Sequence, residues 1–258
     1  MLWVDPHTHH QFSNYNTLLK LRRWGFYGVA VLSYMPVKPM NHASLIDLYR
    51  WLLDDEYKRV TSLGLRAIVG LGIHPRNIPS DWREALSYIE EILKAYSYAI
   101  LGEVGLELGS EVEVEVLREQ LRIVKRSDRS VILHSPRRNK LVIVKKLLKI
   151  VESSGISEGL VIINHLNKEA LDELSPNIAR YGIGLTIQEE KLTHMDVLET
   201  LKNYEDLVDR MVLNSDCRRE PSEPLVVYNC VNYLLNKGLK EKIVEKIAYV
   251  NAKRMLNF

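Results

Sequence analysis

The chain has 258 residues, 46% of them hydrophobic and 26% charged, with a formal net charge of +2. This is ordinary globular composition, and the near-neutral balance lacks the strong basic excess of a protein that coats nucleic acid, while leaving room for a local basic rim. Two cysteines, Cys217 and Cys230, imply no disulfide framework. No apolar stretch approaches the roughly 20 residues that span a bilayer, and no secretory pattern opens the chain, so a cytoplasmic location with no membrane contact is expected.

Along the chain, short apolar, β-branched runs alternate with longer segments of helical period. The first strand is expected in "LWVDPHTH" (2–9) and the second in "GVAVLSYM" (28–35). A helix follows over 41–64, closed by Gly64, then a strand in "RAIVGLGIHP" (66–75). The next helix, 80–97, has Ser80 or Asp81 as its N-cap with Glu84 as capping-box partner. A fourth strand, "YAILGEVGLE" (98–107), precedes a helix over 114–128. "SVILHSP" (130–136) leads to a helix over 139–155, and "LVIINHL" (160–166) to a segment over 168–182 that Pro176 should break. "YGIGLTIQ" (181–188) and "RMVLNSDC" (210–217) complete the strands, and a helix over 239–258 ends the chain. Eight strand–helix units predict a (β/α)8 barrel occupying 1–258 as one domain. An open doubly wound sheet would need a glycine-rich phosphate loop after its first strand; "HTHHQFSN" stands there instead.

Position singles out the polar residues. His7 and His9 end the first strand, His74 the third, Glu103 lies on the fourth, His134 ends the fifth, His165 the sixth and Asp216 the eighth. In a barrel these ends share one face, where active sites are built. Alternate residues of a strand point the same way, so His7 and His9 are expected to face inward roughly 6.6 Å apart and to converge on one ion. Asp5 shares their parity and is placed to orient one imidazole behind the metal. His10 points the other way and reads as a surface or mouth residue. His42 and His194 lie at helix starts and read as structural. A lone inward histidine is usually a hydrogen-bonded core residue. Buried imidazoles side by side and two buried carboxylates need compensation, and a metal site supplies it.

At this point "DPHTHH", "GIHP" (72–75), "GEVGLE" (102–107), "ILHSPR" (132–137), "INHL" (163–166), "NSD" (214–216) and "VNAKRML" are similar, in order and over the whole chain, to the signature of TatD-type metal-dependent hydrolases of the amidohydrolase superfamily. The resemblance implies two metals, one held by His7, His9, Glu103 and Asp216, the second by Glu103, His134 and His165, with Glu103 bridging. It implies His74 as a substrate contact. The sequence departs from the family pattern in four places. "NSD" replaces the usual "ETD", Glu107 stands for the usual aspartate, the arginine after His134 is displaced to Arg137, and His10-Gln11 follow the HxH. The metal ligands survive these departures, so a divergent branch of the family is expected.

The resemblance implies a divalent-metal-dependent hydrolase acting on phosphodiesters, with DNase activity. Histidine-rich ligation favours zinc, with manganese, nickel or magnesium as the other candidates. Asp216 is the expected general base, working with Glu103. Arg137, Arg138, Lys140, Arg218 and Arg219 follow strands 5 and 8 and are expected to hold phosphate, against the alternative of a solvated loop face. The expected partner is a small phosphoester or DNA, with no obligate protein partner. Two other readings fit the same barrel: an amidohydrolase for an amide, lactone or amine, and an inactive barrel that binds a metabolite or nucleic acid.

Overall fold

Eight parallel strands form where the apolar runs predict them, in a computed structural model that describes residues 1–188, 191–218 and 223–258. They are β1 (Trp3–Thr8), β2 (Phe26–Leu32), β3 (Arg66–Leu71), β4 (Ala99–Gly105), β5 (Val131–His134), β6 (Val161–Ile163), β7 (Gly182–Thr186) and β8 (Met211–Asn214). Each pairs in parallel with its sequence neighbour, in the order β1 to β8. The first and last strands close the ring: Asp216 N–H donates to His7 O at 2.9 Å and His9 N–H to Cys217 O at 2.7 Å. This is the (β/α)8 barrel. Every strand is shorter at its C-terminal end than its apolar run; His9, His74, His165 and Asp216 lie in the trimmed ends, and His7, Glu103 and His134 within the last residues of their strands.

The helices lie outside the sheet. They are α1 (Tyr15–Arg23), α2 (His42–Trp51), α3 (Tyr57–Ser62), α4 (Glu84–Ala95), α5 (Glu111–Ser127), α6 (Lys140–Ser154), α7 (Lys168–Ile178), α8 (His194–Asn203), α9 (Val226–Asn236), α10 (Glu241–Glu245) and α11 (Asn251–Leu256). A π-helical turn at Leu52–Glu56 joins α2 to α3, so the long helix expected over 41–64 is present and closes at Gly64, whose φ of 76° suits glycine. Neither α1 nor α9 stands out in the sequence. Only Leu18 and Leu21 of α1 are buried, which gives a weak periodic signal. No helix among the described residues is long and apolar enough to cross a membrane.

Two local expectations fail. Asp81 does not cap α4, which starts at Glu84 without a side-chain cap. Its carboxylate instead accepts from the His42 backbone N–H at 2.8 Å and pairs with His42 Nδ1 at 2.7 Å, tying the start of α2 to this loop. Pro176 does not break α7. It sits in the last turn, where its missing N–H removes one hydrogen bond just before the helix stops.

Two apolar layers position the site. The larger fills the space between sheet and helices. The smaller lies inside the barrel, where Val4, Leu32, Ile68, Ile100, Ile132, Ile162 and Val212 pack against Ala252, Met255 and Leu256 of α11. This inner layer is the floor beneath the polar residues. Above it, Gly184 leaves room for the Asn164 amide, since a Cβ at 184 would stand 1.5 Å from Asn164 Oδ1.

Candidate metal centre

Strict alternation would not bring His7 inward. Val4 belongs to the inner layer and Trp3 to the outer one. The pairing of β1 with β2 shifts register between Asp5 and Thr8, and beyond that irregularity both imidazoles enter the cavity. Asp5 lies before the shift, which corrects its expected role. Its Oδ1 accepts from the backbone N–H of His7 at 3.3 Å and of Ser215 at 3.1 Å, so it clamps the strand ends rather than a ring. Burial pushes its carboxyl up to about 7 against the lowering effect of those bonds. His10 is also corrected. It is fully buried, with Nδ1 bonded to Ser13 Oγ at 2.9 Å, because a short helical turn at His10–Phe12 folds it back under Arg59, which donates to its carbonyl. His42 and His194 begin helices as expected.

Glu103 is the centre of the cluster, buried at the end of β4. Its two oxygens face different imidazoles. Oε1 is 2.8 Å from His134 Nδ1 and 2.9 Å from His165 Nε2. Oε2 is 3.3 Å from His7 Nε2 and 3.5 Å from His9 Nε2. Asp216 Oδ1 completes the second group, 3.6 Å from His7 Nε2 and 3.3 Å from His9 Nε2. All six expected ligands therefore converge. His165 and Asp216 hold left-handed backbone, with φ of 63° and 46°, just past the ends of β6 and β8; this turns their side chains back over the barrel mouth.

The electrostatics are those of a cation site. Burial alone would raise the Glu103 and Asp216 carboxyls, yet His7 and His134 hold Glu103, and Lys191 and His9 hold Asp216, well below the usual carboxylate range. Burial opposes a charge on His9, but bonds to Asp216 and Glu103 outweigh it and move the ring up to about 9. His134 is raised for the same reason by Glu103 and Glu107. His7 Nε2 is buried and has no hydrogen-bond partner, although it is aimed at both carboxylates. A divalent ion fits these observations: it satisfies the orphaned nitrogen and replaces the protons that balance the carboxylates. The groups His7–His9–Glu103 and His7–His165–Asp216 each bring donor atoms within 4.8 Å of one another.

The rings are oriented from behind. His9 Nδ1–H donates to Leu32 O at 2.9 Å, which leaves Nε2 as a ligand. His7 Nδ1 meets the Asn164 amide at 2.5 Å. His165 Nδ1 meets Thr186 Oγ1 at 3.1 Å, and His134 Nε2 meets Glu107 Oε2 at 2.7 Å. His74 differs. Its Nδ1 accepts from Arg76 N–H at 3.1 Å, so the neutral ring carries its proton on Nε2, 3.7 Å from Glu103 Oε2. It is arranged to donate from Nε2 rather than to ligate. A third group, His74–Glu103–His134, also meets the donor spacing, but His74 would have to give up that proton to ligate.

A cavity of about 230 Å³ opens over the cluster. Arg137, Lys140 and Arg218 line it, as expected. Arg138 does not: both arginines are exposed, and of the two only Arg137 lines the cavity. Arg219 lies outside the described residues. The sequence reading assigned no residue to strands 2 and 7, and both contribute. Tyr34, just past β2, stands between His9 and His74 at ring distances of 5.2 and 5.4 Å. Lys191, beyond β7, has its side chain enclosed and bonds Asp216 Oδ2 and, at 2.9 Å, His165 Nδ1. The second is a bond that His165 would give up on ligating through Nε2, since its proton would then sit on Nδ1. Arg218 also donates to Asp216 Oδ2, at 2.8 Å. The use of six of the eight strand ends was the available signal for both.

The model of the TatD related DNase family matches residues 4–257. A metal-dependent hydrolase of Methanocaldococcus jannaschii is 30% identical over 251 residues, covering 97% of this chain and 98% of that one. A TatD-like protein from Archaeoglobus fulgidus is 34% identical with a TM-score of 0.84, covering 99% of this chain and all of the other. The phosphotriesterase homology protein of Escherichia coli, solved with phosphate in its active site, is 13% identical with a TM-score of 0.71 over 99% of this chain and 98% of that one; at that identity it shares the fold alone.

Proposed function

This chain belongs to the TatD-related family of metal-dependent hydrolases, and on that premise we propose that it hydrolyses phosphodiesters with two divalent ions, zinc being favoured by the histidine-rich donors. The observation that carries this reading is a cavity whose floor is His9, Glu103, His134, His165 and Asp216, with His7 buried among them, and whose walls are cationic. One ion would be held by His7, His9, Glu103 Oε2 and Asp216 Oδ1, the other by Glu103 Oε1, His134 and His165. Bound divalent ions supply a water acidified toward neutrality and positive charge on the attacked phosphate.

The chain's own residues then divide the work. Asp216 Oδ1 faces His7 and His9, and Oδ2, held by Lys191 and Arg218, is the oxygen that would take the water proton once one of those donors yields its place. Lys191 and Arg218 keep that carboxyl acidic, so the proton is held weakly and handed to the leaving oxygen. His74 donates Nε2–H to a phosphate oxygen. Arg137 neutralises the cleaved anion at the wall, with Lys140 beside it.

The test uses single-stranded DNA and bis-p-nitrophenyl phosphate with zinc, manganese or magnesium. Turnover that disappears with chelator and falls as salt rises supports the reading. Intact phosphodiesters in every metal, with turnover of a lactone or amide, replace it with the amidohydrolase reading. The protein is expected to act as a single barrel domain in the cytoplasm.

A further inference from the structure

The charge of the cavity exceeds what one phosphodiester needs. Five cationic side chains line it, Arg76, Arg137, Lys140, Lys191 and Arg218, against the three carboxylates Glu103, Glu107 and Asp216, an excess of two positive charges. The two ions proposed above would add four more. A phosphodiester brings one negative charge. The surplus is concentrated on one side. Lys140 and Lys191 both grip His165, the first through its carbonyl oxygen and the second through ring Nδ1. The far side of that ring, Nε2, faces Glu103 Oε1. Two mutually repelling ammonium groups thus stand together beside the donor set. Lys191 is almost wholly enclosed, its side chain 6% exposed, so its charge is not a solvated surface charge. An ammonium has three N–H donors. Among the described residues Lys140 uses one, and Lys191 two. Size narrows the occupant. About 230 Å³ is below the roughly 300–1,000 Å³ of sites that enclose a whole ligand, so the cavity suits the end of a molecule rather than a strand running through it.

We propose that Lys140 and Lys191 form a subsite for a second, terminal phosphate of the substrate, next to the phosphate that is cleaved. This rests on the phosphodiester reading above and narrows it to substrates that end in a phosphomonoester. The end of a nucleic-acid strand and a small bisphosphorylated nucleotide offer the same chemistry.

Calorimetry on the zinc-loaded protein tests the subsite by binding rather than turnover. The probes are thymidine 5′-monophosphate, thymidine 3′-monophosphate, thymidine 3′,5′-bisphosphate and the bisphosphate with both phosphates blocked as methyl esters. The bisphosphate should bind about tenfold or more tighter than either monophosphate, as expected for a gained charge-assisted contact. Lys140→Met and Lys191→Met should each remove that ratio while the monophosphates bind as before, which shows that fold and metal are intact. No gain for the bisphosphate, or a gain kept in both variants, overturns the subsite. A doubly methylated bisphosphate, which has no terminal phosphate, that binds as tightly as the bisphosphate overturns its terminal character. Trithymidylates with hydroxyl or phosphate ends identify the source: the same gain there points to a strand end, and a gain confined to the bisphosphate points to a small nucleotide. Diesters left uncleaved while the bisphosphate ratio holds would defeat the hydrolytic reading and leave the subsite standing.

Discussion

Glu107→Gln should weaken one metal ion and spare the other. Glu107 Oε2 is 2.7 Å from His134 Nε2, and His134 Nδ1 points to Glu103 Oε1. The carboxylate thus holds one face of the ring while the other faces the ion, the arrangement that fixes a ligating histidine and raises its basicity. The contact is charge-assisted in both directions: Glu107's carboxyl is lowered, first by its bond to His134, and the His134 ring is raised. Removing such a support typically costs about 10–100-fold in metal affinity, about 1.4–2.8 kcal/mol. Glutamine keeps an acceptor and loses only the charge, and the Glu107 side chain is a quarter exposed, so the lower end, about tenfold, is expected. The ion proposed for His7, His9, Glu103 Oε2 and Asp216 Oδ1 would share no ligand ring with Glu107 and should be unchanged. Competition with a chromogenic zinc chelator resolves the two affinities. Equal weakening of both ions, or of neither, refutes the division of the site between the two oxygens of Glu103.

Asp216→Asn should preserve the fold and lower turnover by about 10²–10⁴-fold, since an amide cannot take the water proton; steady-state kinetics with wild-type turnover would remove Asp216 from the chemistry. Gly184→Ala should push the Asn164 amide off His7 Nδ1, because its Cβ would overlap Asn164 Oδ1. The expected result is a lower melting temperature, a destabilisation of about 1–3 kcal/mol, together with weaker zinc binding; an unchanged melting curve and unchanged zinc affinity would contradict the packing described. Cys217 and Cys230 are both buried, and burial pushes the Cys230 thiol up to about 12, so neither should react with a thiol reagent at neutral pH until denaturant unfolds the barrel. Fast labelling of either in native protein would place that segment elsewhere.

The strands and the ligands were legible for one reason. Parallel barrel strands are apolar on both faces, so a histidine or carboxylate at the end of such a run is conspicuous, as His134 is after Val131-Ile132-Leu133. Strand parity was not enough for Asp5, because the register shift in β1 separates it from His7. His10 misled for a related reason: parity says nothing of a residue that begins a helical turn. Lys191 carried no signal of its own. It lies five residues past the end of β7, and only the loop's return, with Gln188 Nε2 bonded to the carbonyls of Ser215 and Asp216, brings it to the site. Arg137 and Arg138 are indistinguishable in sequence, and the turn that carries them decides which one faces inward.

The central claim is that one carboxylate is shared between two ions, and anomalous scattering at the zinc edge from crystals grown with zinc tests it most directly. Two peaks about 3.5–4 Å apart are predicted on either side of the Glu103 carboxylate, one against His7, His9 and Asp216, the other against His134 and His165. A single peak, or peaks that do not share Glu103, would contradict it.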